Sequence, residues 1–217
     1  MVKEILYKYA EDINGKIIHI NNVLTGENYF CPDCKEKFVF KKGKIRQKHF
    51  AHNNINSNCT GEGYLHKTFK KILLEFIKYN VVNKIPMNIL IECNKCHNKI
   101  LMNILGNCLS VKDEYDMKIC RPDIALIEEN GNVYAVFEIV VTHKPEDNII
   151  DYYQKNNIIL FQIKLETEND LENINETINN KIEIKTRPDY FNACINPNCI
   201  SRRRIPYRGA VKRSRRF

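Results

Sequence analysis

The sequence has no stretch approaching the ~20 consecutive apolar residues that a helix needs to cross a bilayer, so nothing in its 217 residues points to a helical membrane span. Its first 14 residues do not read as a secretory leader either, because Lys3, Glu4, Lys8, Glu11 and Asp12 break up any apolar core. It lacks internal repeats and a long linker. It also lacks acid where base is most concentrated: the last 17 residues contain no Asp or Glu. These absences leave an intracellular protein as the expectation, cytoplasmic, or nuclear if the host is eukaryotic, with no membrane partner.

Thiols stay reduced in such a compartment, and the cysteines number nine, an odd count that fits a disulfide framework poorly. They read as metal ligands. Hydrophobic residues at 43% are enough for a packed core, and the length suits one ordinary domain with a small module attached. The formal net charge is +8, and its placement matters more than its size. Arg202, Arg203, Arg204, Arg208, Lys212, Arg213, Arg215 and Arg216 account for eight of the 34 basic residues, which leaves 26 against 26 acids in the body. A neutral body with a basic arm suits a polyanion, and nucleic acid is the expected partner.

The pattern along the chain predicts an α/β protein with a mixed sheet. Residues 1–60 read as a β-rich module, with strands at 16–20, 37–40 and 45–52 and a turn at Asn14-Gly15. Residues 61–200 read as the core and residues 201–217 as a basic tail. Leu65, Phe69, Ile72, Leu73, Phe76 and Ile77 form one stripe of a helix over residues 62–80. Apolar runs at 85–91, 99–105, 123–127, 133–142 and 158–165 predict strands, and that at 133–142 has the β-branched and aromatic content of a buried central one. A helix is expected over 145–155, and weak helical spacing marks 166–183.

Two thiol constellations stand out. Cys31-x2-Cys34 forms a knuckle, followed by His49, His52 and Cys59. Strand alternation puts Phe50 and His52 on one face and His49 on the other, so Cys31, Cys34, His52 and Cys59 are the expected zinc ligands, with His49 the competitor. Cys93-x2-Cys96 has the same knuckle form but no second pair nearby. Cys194 and Cys199, about a hundred residues on, could complete a second four-cysteine site, with Cys108 and Cys120 as alternatives. Four protein ligands leave no open position, so both sites should be structural.

A third constellation is acidic. Asp123 and Glu138 lie in or beside apolar strands, where a carboxylate is costly unless it is paired or binds a cation. The turn at Glu129-Asn130-Gly131-Asn132 would set those strands side by side, and two carboxylates there could share Mg²⁺ or Mn²⁺. An ion pair with Arg121 is the structural alternative for this pair. Glu62, His66 and Lys70 recur every fourth residue on one face of the preceding helix. Glu62 could assist the metal, and His66 or Lys70 could contact phosphate.

Taken together, Ala10-x-Asp12-x2-Gly15, Cys31-Pro32-x-Cys34 and Lys42-Gly43-x2-Arg46-x2-His49-Phe50-Ala51-His52 resemble the N-terminal region of the CoiA-like competence proteins. Glu62-x3-His66-x3-Lys70 and the Asp123 and Glu138 strands resemble that family's nuclease-like domain, a branch of the PD-(D/E)XK superfamily. The resemblance covers about residues 10–165. It implies a restriction-endonuclease-like core, Mg²⁺-dependent hydrolysis of phosphodiester bonds in DNA, and Asp123 and Glu138 as metal ligands. One position departs from the superfamily motif: Val140 stands where a lysine is usual, two residues after the strand acid. Lys144, Lys155 and Gln154 are the candidates to replace it. A catalytically inactive, zinc-stabilised DNA-binding protein is the alternative reading.

Overall fold

The computed structural model describes residues 7–42, 47–53, 59–93 and 96–188. Cys194, Cys199 and the basic residues of the tail lie outside the described residues.

The N-terminal segment is a pair of small hairpins wrapped on a helix. Strand β1 (Tyr9–Glu11) pairs antiparallel with β2 (Ile17–His19) across the turn in which Gly15 takes φ +77°. Strand β3 (Phe38–Lys41) pairs with β4 (His49–His52), aligning Phe40 with Phe50 and Phe38 with His52. Single bridges from Tyr7 to Phe50 and from Phe30 to both Glu11 and Lys37 join the hairpins. Phe38 and Phe50 stack with their ring centres 5.6 Å apart.

Helix α1 (Gly61–Val82) starts at Thr60, whose side chain accepts a hydrogen bond from the Gly63 N–H at 3.0 Å and so satisfies one open backbone donor. The expected apolar stripe is its packing face: Leu65, Phe69, Leu73 and Ile77 are buried, with Ile72 and Phe76 partly so. Tyr64 and Leu74 widen it. One continuous core runs from Tyr9 and Phe50 through α1 to Phe137 and Phe161 of the main sheet, so the N-terminal segment and the sheet share the helix between them.

A separate hairpin, β5 (Asn88–Glu92) with β6 (Lys99–Asn103), follows α1. Strands β7 (Ser110–Asp113), β8 (Ile124–Ile127) and β9 (Val133–Val140) then form an antiparallel meander. Helix α2 (Asp147–Lys155) crosses over to β10 (Ile159–Lys164), which lies parallel to β9. Helix α3 (Ile174–Lys181) leads to β11 (Ile182–Thr186), antiparallel to β10. The five-stranded sheet has the order β11-β10-β9-β8-β7. Strand β9 is central and covered on both faces, with Ala135, Phe137 and Ile139 in the core shared with α1 and Val136 against Tyr153 of α2. This is a mixed α/β architecture, with the only parallel pair of the sheet where a helix makes the crossover. Among the described residues no helix is long and apolar enough to cross a membrane.

Candidate active site and metal centre

The knuckle comes first in the chain. The Cys31 N–H donates to the Glu36 carbonyl at 2.8 Å, and the Lys35 N–H donates back to the Cys31 carbonyl at 3.0 Å, with Lys35 in the left-handed region at φ +62°. That turn holds Cys31 and Cys34 together. Strand β4 brings in His52, whose Nε2 lies 3.2 Å from Cys34 Sγ, and Cys59, just before α1, places its sulfur 3.5 Å from Cys31 Sγ. The ligand atoms of Cys31, Cys34, His52 and Cys59 all lie within 4.8 Å of one another. A Zn–S bond of about 2.3 Å gives a tetrahedral edge of about 3.7 Å, so the cluster has the dimensions of one ion. It can hold a metal ion such as zinc. His49 points the other way and pairs with the Gln47 carbonyl at 3.0 Å. The alternation expected from the sequence thus separates the two histidines, because Phe50, buried, fixes which face of β4 is inside.

Burial pushes the Cys31 thiol up to about 11 and, together with the neighbouring Cys31, raises that of Cys59. Burial also lowers the His52 imidazolium. Without a cation the cluster favours neutral thiols and neutral imidazole. A bound metal reverses that for the thiols, since thiolate is the ligating form.

The knuckle is seated on the start of α1. Asp33 forms an ion pair with Lys67 at 2.9 Å, and although burial works against it, Lys67 holds the Asp33 carboxyl below its usual range. A Cβ on Gly63 would lie 2.6 Å from the Asp33 carboxylate, so only glycine permits this approach. Further along, buried Glu11 takes Lys35 and Lys71 as partners. The buried Tyr64 hydroxyl accepts from the Tyr9 N–H at 3.0 Å and lies 2.9 Å from Glu168.

The same helix carries the polar residues of a cleft of about 510 Å³, bounded by α1, the end of β9 and the start of α2. Its walls include Glu62, His66, Asp123, Glu138 and Lys144. The hairpin register pairs Ile124 with Phe137, which places Asp123 alongside Glu138, as the turn at residues 129–132 requires. Asp123 Oδ2 accepts from His66 Nε2 at 3.1 Å and from the Ile139 N–H at 2.9 Å. Arg121, the partner considered from sequence, pairs instead with Asp116 at 3.2 Å. Glu138 faces α2, where the Tyr153 hydroxyl donates to its Oε1 at 3.1 Å and accepts from the Cys120 thiol at 3.4 Å. Burial, then the charge of Asp123, push the Glu138 carboxyl up to about 7.

Glu62 turns its carboxylate toward Thr142 and His143, with His143 Nδ1 at 3.1 Å, and the Thr142 hydroxyl, then His143, hold its carboxyl below the usual range. Lys70 pairs with Glu114 and lies 3.9 Å from Asp123 Oδ1, off the cleft wall. Val140 is buried, at 3% exposure. Of the residues considered for the absent lysine, Lys144 lines the cleft and Lys155 does not. Gln154 is engaged with the Arg187 backbone at both ends, its Nε2 donating at 2.7 Å and its Oε1 accepting at 3.0 Å. Sequence reasoning missed Tyr153, Thr142 and His143. Thr142-His143 directly after a buried strand was an available cue, whereas Tyr153 on the packing face of α2 gave none.

Residues 16–62 match the family model described as the competence protein CoiA N-terminal domain. Over this stretch the chain is CoiA-like. The matched segment holds Cys31, Cys34, His52 and Cys59 and ends at Glu62 on the first turn of α1. No curated protein and no solved structure matches the chain. The CoiA-like segment is therefore the part with a named relative, and it carries the thiolate cluster together with the helix start that borders the cleft.

Proposed function

We propose that the cleft hydrolyses phosphodiester bonds in DNA with a divalent cation held by Asp123 and Glu138, on a restriction-endonuclease-like core, while the CoiA-like segment holds a structural zinc ion. The observation that carries this reading is the meeting of two carboxylates from adjacent strands at one open cleft. Burial and mutual repulsion raise the carboxyl of Glu138 there. Such a pair fits a hard cation, which offsets both effects and takes oxygen ligands. Bound there, Mg²⁺ or Mn²⁺ polarises the phosphate and makes a water acidic enough to attack at neutral pH.

The protein groups around it orient and neutralise. His66 and the Ile139 N–H fix one oxygen of Asp123, and Tyr153 fixes one of Glu138, so neither carboxylate has to be ordered when substrate arrives. Lys144, exposed on the cleft wall, supplies positive charge to the phosphate in place of the lysine that Val140 lacks. The basic residues 202–216 add affinity through counterion release, without sequence preference.

The burial of Val140 favours a second reading, in which the same protein binds DNA without cutting it. Incubation of supercoiled plasmid with the full chain and Mg²⁺ or Mn²⁺ separates the two. Nicking that falls by on the order of a hundredfold or more in Asp123→Asn and Glu138→Gln, a loss of a few kcal/mol of barrier lowering, supports the nuclease. Binding with no metal-dependent nicking in the unmodified chain supports the inactive form.

A further inference from the structure

The turn between β5 and β6 repeats the backbone of the first knuckle bond for bond. The Cys93 N–H donates to the Asn98 carbonyl at 3.0 Å, and the His97 N–H donates to the Cys93 carbonyl at 2.8 Å. His97 takes φ +55°, the counterpart of Lys35. The offsets are the same in both: residue i to i+5, residue i+4 back to i, and a non-glycine residue in the left-handed region at i+4. That region is unfavourable for a side chain that is not glycine, so two occurrences at the same place in two C-x2-C turns have a common cause. In the first turn the cause is a loop that presents two thiols to one point, where His52 and Cys59 meet them.

The β5–β6 hairpin needs such a clamp. It is a two-stranded sheet without hydrogen-bonded neighbours in the five-stranded one, and Leu90 and Leu101 are exposed side by side on its outer face. A lone hairpin of this kind is marginal in water. Among the described residues no third His, Cys, Asp or Glu joins Cys93 and Cys96 in a close group. The alternatives within the chain are occupied elsewhere: Cys108 donates to the Ser110 carbonyl at 3.4 Å, and Cys120 to Tyr153.

The chain itself returns to the place where ligands are wanted. After β11, the side chain of Gln154 grips the Arg187 backbone from both sides, and Arg187 Nη1 donates to the Glu92 carbonyl at 2.9 Å. Glu92 immediately precedes Cys93. The polypeptide leading to Cys194 thus passes beside the second knuckle, and the six residues from Pro188 to Cys194 reach up to about 20 Å.

We infer that Cys93 and Cys96 bind a second structural zinc ion together with Cys194 and Cys199, so that a metal ion fastens the segment after β11 to the β5–β6 hairpin. The inference does not depend on the hydrolytic reading. Protein purified without chelator should contain two zinc ions per chain. That content should fall to one in Cys93→Ser/Cys96→Ser, in Cys194→Ser/Cys199→Ser and in Cys31→Ser/Cys34→Ser. One zinc per unmodified chain, or two retained in the Cys194/Cys199 double variant, overturns it. Because a double variant could misfold, thiol labelling of the unmodified protein gives a second readout. Cys93, Cys96, Cys194 and Cys199 should resist iodoacetamide until zinc is removed with a chelator, and then react without reductant. Labelling of Cys194 and Cys199 before chelation, or protection that only a reductant lifts, as a disulfide would give, overturns the assignment.

Discussion

Glu138 lies on the central strand with Asp123 beside it, and burial followed by that charge move its carboxyl from the ordinary 4.5 to about 7. The folded protein therefore holds a proton between these values that the unfolded chain releases. The contribution to stability is fully present below about pH 4.5 and is lost as pH rises toward 7, by at most about 3 kcal/mol. Thermal melts between pH 5 and 8 without added divalent cation should show this fall in the unmodified protein and a flatter profile in Glu138→Gln. Added Mg²⁺ should recover stability at pH 8 only where Glu138 is intact. The two histidines of β4 give a second test at this scale. His52→Ala should lower zinc affinity by more than about a hundredfold, whereas His49→Ala should leave zinc content unchanged, as read by metal analysis of the purified variants. Alternation with Phe50 made this choice readable from sequence. The partnership of Asp123 with His66 was not, because Arg121, two residues away in the chain, is the nearer cation along it and the farther one in space.

Helix α1 is the element that links zinc cluster and cleft. Its first turn touches Asp33 of the knuckle, and its exposed face presents Glu62 and His66 to the cleft. Gly63 is the point of closest approach. Gly63→Val should destabilise the fold by about 2 kcal/mol, because the added carbons must displace a carboxylate held by Lys67. Denaturant unfolding of Gly63→Val in an Asp33→Ala background should show much of that loss recovered, since the obstacle is then gone. The helix and its apolar stripe were evident from spacing. The strands at 110–113 and 182–186 were not, because both are edge strands of the sheet, short and half polar, with a weak period-two signal. The Cys93 turn was readable as a knuckle from its spacing alone, and the return of Arg187 to its neighbour was not.

Across the whole molecule, charge is divided between a formally neutral body and a basic stretch at residues 202–216. Deleting residues 201–217 should weaken binding to duplex DNA by more than tenfold at low salt. It should also reduce the slope of log affinity against log salt by several units, since each phosphate neutralised contributes about 0.9. Zinc content should be unaffected, because no cysteine is removed. Binding that is insensitive to salt before and after deletion would instead assign the stretch to a partner other than nucleic acid. The sequence by itself determined what is local or periodic: the helix stripe, the knuckles, the alternation that selects His52, the turn that aligns Asp123 with Glu138, and the segregation of charge. Only the tertiary structure decided what depends on contacts between distant segments: the His66 and Tyr153 partners of the two acids, the seating of Asp33 on Gly63, and the approach of the segment after β11 to Cys93. The physical reason is that spacing encodes which face a side chain takes, while the identity of the group across that face is fixed by how the sheet, α1 and α2 pack into a shared core.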